Sequence, residues 1–173
     1  GRGSDNNAKP DLQIGTNMTV FGSADGLFCS SISAGEETIG IGGDLNINAG
    51  NVRFNSYENL TARGHAVTGT IGGSFVMSGG SICFSSNRGA NTWDIAGDYD
   101  QSGGYAVYKW YNQGATTINV QGNYALNNGN VTFYSRAVTA ASDPVLVTVN
   151  GNADFANSTV VFDSCATSSA IHM

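Results

Sequence analysis

Asp94, Asp98 and Asp100 place three carboxylates within seven residues, the one dense acidic group inside a repeat of this chain. Polysaccharide lyases and hydrolases need two or three such groups meeting on one face. Alternation gives all three the same outward parity, but the turn at residues 96–98 scatters them. The neighbouring copies of the repeat carry no acid at these positions; along the Asp100 column the next carboxylate is Asp154. His65 and His172 have no serine or cysteine beside them that reads as a nucleophile with its base. Cys29, Cys83 and Cys165 lie 54 and 82 residues apart and contain no C-x-x-C pair, so free thiols are expected rather than a metal site or a disulfide. These patterns predict a chain that is not an enzyme and holds no metal or cofactor.

A second constellation is aromatic. Tyr105, Tyr108, Lys109, Trp110 and Tyr111 crowd into one stretch, and Trp110 stands where other copies of the repeat have Ser56, Ser86, Ser135 and Ser164. An aromatic in an otherwise small column either covers the side of the stack or offers a platform on which a sugar ring stacks. Trp110, Tyr111, Tyr105 and Lys109 are the candidate ligand-binding residues on the second reading. Trp93, at an aliphatic position, is expected in the core.

The elements that position these groups are five copies of one pattern, anchored on Gly43, Gly73, Gly97, Gly122 and Gly151. Seven residues after each anchor come Gly50, Gly80, Gly104, Gly129 and Ser158. Anchor spacings of 30, 24, 25 and 29 residues confine the length variation to one arc per copy. A fixed core with a variable arc at this period is the mark of a stacked array. A weaker sixth copy precedes the five, with Leu12, Ile14, Met18 and Val20 matching and Thr16 at the anchor.

Within each copy apolar residues alternate, the period-2 sign of strands with one buried face. Glycine and asparagine break the alternation at residues 42–44 and 49–51, where the chain turns corners. Hairpins would use similar corners, but the columns decide for parallel stacking. Val52, Ile82, Ala106, Val131 and Val160 share one column; Phe54, Phe84, Tyr108, Phe133 and Phe162 share another. Ile41, Ile71, Ile95, Val120 and Val149 form a third, and Leu45, Phe75, Tyr99, Tyr124 and Ala153 a fourth. Like residues recurring once per turn are what in-register parallel coils produce. The expected fold is all-β, a parallel right-handed β-helix of about six coils with three short strands each. The polar column Asp44, Ser74, Asp98, Asn123 and Asn152 reads as a corner ladder bonded to backbone rather than a calcium site, since each coil offers a single side chain.

The chain has 173 residues, 40% hydrophobic and only 12% charged, with 24 glycines. Its net charge of −6 and seven scattered basic residues argue against nucleic acid, and no apolar run is long enough to insert in a membrane. Residues 1–4 read as a cloning remnant, residues 1–10 as a lead-in, and residues 11–173 as a single solenoid domain cut from a longer array. The segment CATSSAIHM after Ser164 reads as the start of a further coil. Uncapped coil edges would favour end-to-end association with other copies.

GGDLNINAGNVRFNS, GNYALNNGNVTFYS and the closing DSCATSSAIH resemble the β-solenoid repeats of large surface and secreted proteins of Bacteroidetes-type bacteria. They are also similar to the β-helix passengers of autotransporter and haemagglutinin-type adhesins. The resemblance covers Asp11 to Met173 and carries over no catalytic residue. It implies an extracellular or cell-surface stalk, adhesin or surface layer, with surface glycans or other copies of the solenoid as partners. Specificity would sit in the arcs 57–66, 87–92, 111–116 and 136–144. Two alternatives use the same fold: a carbohydrate-active β-helix, binding or cleaving polysaccharide, and an ice-binding solenoid. Against the latter, the outward columns Asn46, Val76, Asp100, Ala125, Asp154 and Arg53, Cys83, Val107, Thr132, Val161 are mixed rather than uniform. The apolar character of the second column predicts that neighbouring protein covers that face.

Overall fold

The computed structural model describes residues 11–22, 25–28, 37–54, 66–85, 89–110, 114–134, 143–161 and 170–173. Each turn of the chain lays down three strands. The first coil holds β1 (Asp11–Ile14), β2 (Met18–Val20) and β3 (Asp25–Phe28), the second β4 (Glu37–Ile41), β5 (Leu45–Ile47) and β6 (Asn51–Phe54). The third holds β7 (Val67–Ile71), β8 (Phe75–Met77) and β9 (Ser81–Cys83), the fourth β10 (Asn91–Ile95), β11 (Tyr99–Gln101) and β12 (Tyr105–Lys109). The fifth has β13 (Thr116–Val120), β14 (Tyr124–Asn127) and β15 (Asn130–Tyr134), the sixth β16 (Val145–Val149), β17 (Ala153–Ala156) and β18 (Thr159–Val161), and β19 (Ala170–His172) follows.

Strands stack on their equivalents in the next coil, giving one seven-stranded sheet from β1 to β19 and two six-stranded sheets, β2 to β17 and β3 to β18. Every pairing is parallel, and the columns read from the sequence are register pairs: Ile41↔Ile71, Ile71↔Ile95, Ile95↔Val120 and Val120↔Val149 in the first sheet. Leu45↔Phe75, Phe75↔Tyr99 and Tyr99↔Tyr124 pair in the second. The fold is a β-solenoid. In its four interior coils, β4 to β15, every strand pairs with an equivalent strand on both sides. In the sixth coil β17 and β18 each have one strand neighbour among the described residues, and Phe155 is 44% and Val161 43% exposed.

Alternation works as the sequence implies: in β7, Val67, Gly69 and Ile71 are buried while Thr68 and Thr70 are exposed. The aromatic residues form the two adjoining columns read from the sequence. Phe75, Tyr99 and Tyr124 stack with ring centroids 4.6 and 4.5 Å apart, and Phe84, Tyr108 and Phe133 continue edge to face at 5.8 and 5.1 Å. Trp93 is fully buried between Phe54 and Phe84 at 4.6 and 5.3 Å. The coil beneath makes room for it, because a Cβ on Gly69 would lie 2.2 Å from the indole. Phe162 lies outside the described residues.

The first corner explains the anchor glycine. Asp44 Oδ1 accepts the Ser74 N–H at 2.8 Å, Ser74 Oγ accepts the Asp98 N–H at 3.0 Å, and Asp98 Oδ1 accepts that of Asn123 at 2.6 Å. Asn123 continues to Asn152 at 3.0 Å, and Asn17 begins the series by accepting from Asp44 at 2.8 Å. Each ladder side chain occupies the space where the next anchor would carry a Cβ; at Gly73 that atom would sit 2.1 Å from Asp44 Oδ1. The second corner departs from the fixed seven-residue spacing. Gly50, Gly80 and Gly104 have φ of 83°, 72° and 76°, but in the last two coils the left-handed residues are Asn128 and Asn157, not Gly129 and Ser158. Asparagine tolerates that conformation, so the corner moves one residue earlier there. Gly129 keeps its identity for another reason: a Cβ would lie 2.7 Å from the Gln101 side chain.

Candidate functional site

The aromatic stretch lies on β12 and the residue after it, at the end of the fourth coil. Alternation puts Tyr108 inside, where it is fully buried and shares a hydrogen bond with the Tyr124 hydroxyl. Tyr105 is outside, 39% exposed, its hydroxyl donating to Thr132 Oγ1 of the next coil at 3.0 Å. Trp110 is half-buried, and the Arg53 guanidinium carbon sits 5.5 Å from its ring centre, within the range of a cation–π contact. Arg53 stands two rungs away, in register with Cys83 and through it with Val107. The rung between them carries Cys83, which is only 5% exposed, and Val107 on the Trp110 coil is 3% exposed. Cys83 and Val107 are thus covered from within the chain, where the sequence had suggested a neighbouring protein, whereas Val161 of the same column stays 43% exposed. Tyr111 lies outside the described residues.

Lys109 is removed from this platform. Its side chain is fully buried, and Nζ donates to the Gly89 carbonyl at 3.2 Å and to Thr116 Oγ1 at 3.3 Å. Burial pulls its pKa down to about 7, against the opposing influence of Asp143 and Cys83. Around it lies a buried polar corner: Asn91 Nδ2 donates to Gly89 O at 2.7 Å and to Ser85 Oγ at 2.6 Å. Cys83 is a free thiol whose pKa burial raises to about 12.

What the exposed part of the platform can do is stack and bond. The Trp110 face and the Arg53 guanidinium suit the apolar face and the hydroxyl or carboxylate groups of a sugar; Tyr105, at the opposite end of β12, stands roughly 16 Å away at about 3.3 Å per residue. Sequence reasoning found Trp110 and Tyr105 but not Arg53 or Thr132. The signal was the column Arg53, Cys83, Val107, Thr132, which places both on the same outer face.

The acidic triplet does not converge. Asp94 lies on β10 and accepts from Asn119 Nδ2 at 2.7 Å, Asp98 is spent in the corner ladder, and Asp100 faces out from β11 in a different sheet. His172 lies on β19, its backbone opposite Thr148; His65, Cys29 and Cys165 lie outside the described residues. Among the described residues no three His, Cys, Asp or Glu side chains group as metal ligands, and no helix is long and apolar enough to cross a membrane. No protein-family model matches the chain, and neither a curated protein nor a solved structure matches it.

Proposed function

We propose that this solenoid is a non-catalytic scaffold of a secreted or cell-surface bacterial protein, a stiff body that presents its variable arcs and the Trp110 face as adhesive surface. The observation that carries the reading is the division of labour within each coil. Among the described residues, inward columns, ladder residues and anchor glycines are engaged in stacking one coil on the next, and the side chains that differ from coil to coil stand on the outer faces. Such a body resists bending because every rung is bonded to both neighbours along three sheets.

A glycan is the partner class that the platform suits, through Trp110 and Arg53. The carbohydrate-binding alternative thereby joins the adhesive reading; a lyase or hydrolase does not gain, since Asp94 and Asp98 are hydrogen-bonded apart. Binding to a glycan array tests the proposal. Wild-type protein should retain one glycan class, and Trp110→Ala should lose it with an unchanged melting temperature. Retention that is indifferent to Trp110 and Arg53 would remove the platform from the account.

A further inference from the structure

The buried corner around Lys109 holds an amine and a carboxamide side by side. Lys109 Nζ and Asn91 Nδ2 donate to one oxygen, the Gly89 carbonyl, at 3.2 and 2.7 Å. Lys109 is fully buried and Asn91 is 2% exposed, so bulk water is kept from both. Asn91 opens β10 and Lys109 closes β12, the first and last strands of the same coil.

Three features of the corner favour aminolysis of the carboxamide. The amine is the nucleophile only when unprotonated, and burial depresses its pKa to about 7, leaving a large neutral fraction at physiological pH. Amine and amide share one hydrogen-bond acceptor, which replaces a bimolecular encounter by a local one. Hydroxyls flank both reacting groups: Thr116 Oγ1 is 3.3 Å from Nζ, and Ser85 Oγ is 2.6 Å from Nδ2.

The geometry points to an intramolecular amide bond between Lys109 Nζ and Asn91 Cγ that closes the fourth coil into a covalent ring. In the reaction the Nζ lone pair attacks Cγ and the Cγ–Nζ bond forms. The Cγ–Nδ2 bond then breaks, one Nζ proton passes to the departing nitrogen, and one ammonia leaves. No oxidant, reductant or added reagent is required. The consequence is mechanical: a coil joined to itself cannot be drawn out by tension on the chain. This chemistry depends on the corner alone, whatever the role of the whole solenoid.

The test is the intact mass of the full-length chain under denaturing conditions. The mass should fall short of the sequence mass by one ammonia, and a protease digest should yield a branched peptide joining the fragments that contain Asn91 and Lys109. A mass equal to that of the sequence overturns the proposal, and wild-type protein alone decides this even if variants fail to fold. Lys109→Met and Asn91→Ala should each restore the full sequence mass. An ammonia loss that survives in Lys109→Met, or that maps to a different asparagine, also overturns it. Asn91→Asp should lose one water in place of ammonia where the corner still drives the reaction.

Discussion

At the scale of single residues, the anchor glycine and its ladder partner are one device. A Cβ at Gly73 would meet Asp44 Oδ1 at 2.1 Å and the Gly43 carbonyl carbon at 2.9 Å. Gly73→Ala should destabilise by about 1–3 kcal/mol in urea unfolding, whereas Gly15→Ala, with nothing within 4 Å, should be nearly neutral. Asp44→Ala should cost about 1–2 kcal/mol through the lost Ser74 N–H bond. The double variant should cost less than the two together, because the new Cβ displaces the Asp44 carboxylate in any case. Cys83 supplies a pH signature. Its thiol titrates near 9.0 when unfolded and about 12 when folded, so above pH 9 the native state holds a proton that the unfolded state has released. Stability should fall as pH rises from about 9 towards 12, and Cys83→Ala should flatten that part of the curve. With Cys29 and Cys165 replaced by serine, iodoacetamide at pH 8 should label Cys83 only when denaturant opens the fold. The glycine anchors were legible from spacing alone. Their reason was not, because it lies in a side chain one coil away.

At the scale of the element, the coil is held by its aromatic columns and its two corners. Tyr99 is buried between Phe75 and Tyr124, and its hydroxyl donates to Gln101 Oε1 at 2.8 Å. Tyr99→Ala should cost about 3–5 kcal/mol, the range for an aromatic removed from a core. Tyr99→Phe should cost about 1 kcal/mol, since it removes a hydrogen bond and little volume. Thermal and urea unfolding followed by circular dichroism would separate the two. Strands, register and inward faces could be read from the sequence because like residues repeat once per coil, and stacking makes each column its own neighbour. The second corner could not: Asn128 and Asn157 take the left-handed conformation that spacing assigned to Gly129 and Ser158. Two residues that both tolerate a turn give no sequence signal for which of them makes it. Lys109 was grouped with Trp110 because the two are adjacent in sequence. Its parity is the outward one of Tyr105 and Val107, yet its side chain is buried and bonds to Gly89 and Thr116.

At the scale of the molecule, three parallel sheets make a body whose side chains are committed to the stack, with its diversity on the surface. The architecture was legible because it repeats. The platform was legible only in part, since Arg53 meets Trp110 across two rungs and 57 positions of sequence. The three aspartates, close in sequence, are separated by a corner that sends Asp94 and Asp100 to different sheets. The scaffold account is tested most directly by incubating the full chain with a panel of neutral and acidic polysaccharides, measuring retained protein and newly formed chain ends in one experiment. The account predicts retention on at least one polysaccharide, lost in Trp110→Ala at unchanged stability, with no new reducing ends or unsaturated products. Accumulation of such products in proportion to protein would contradict it.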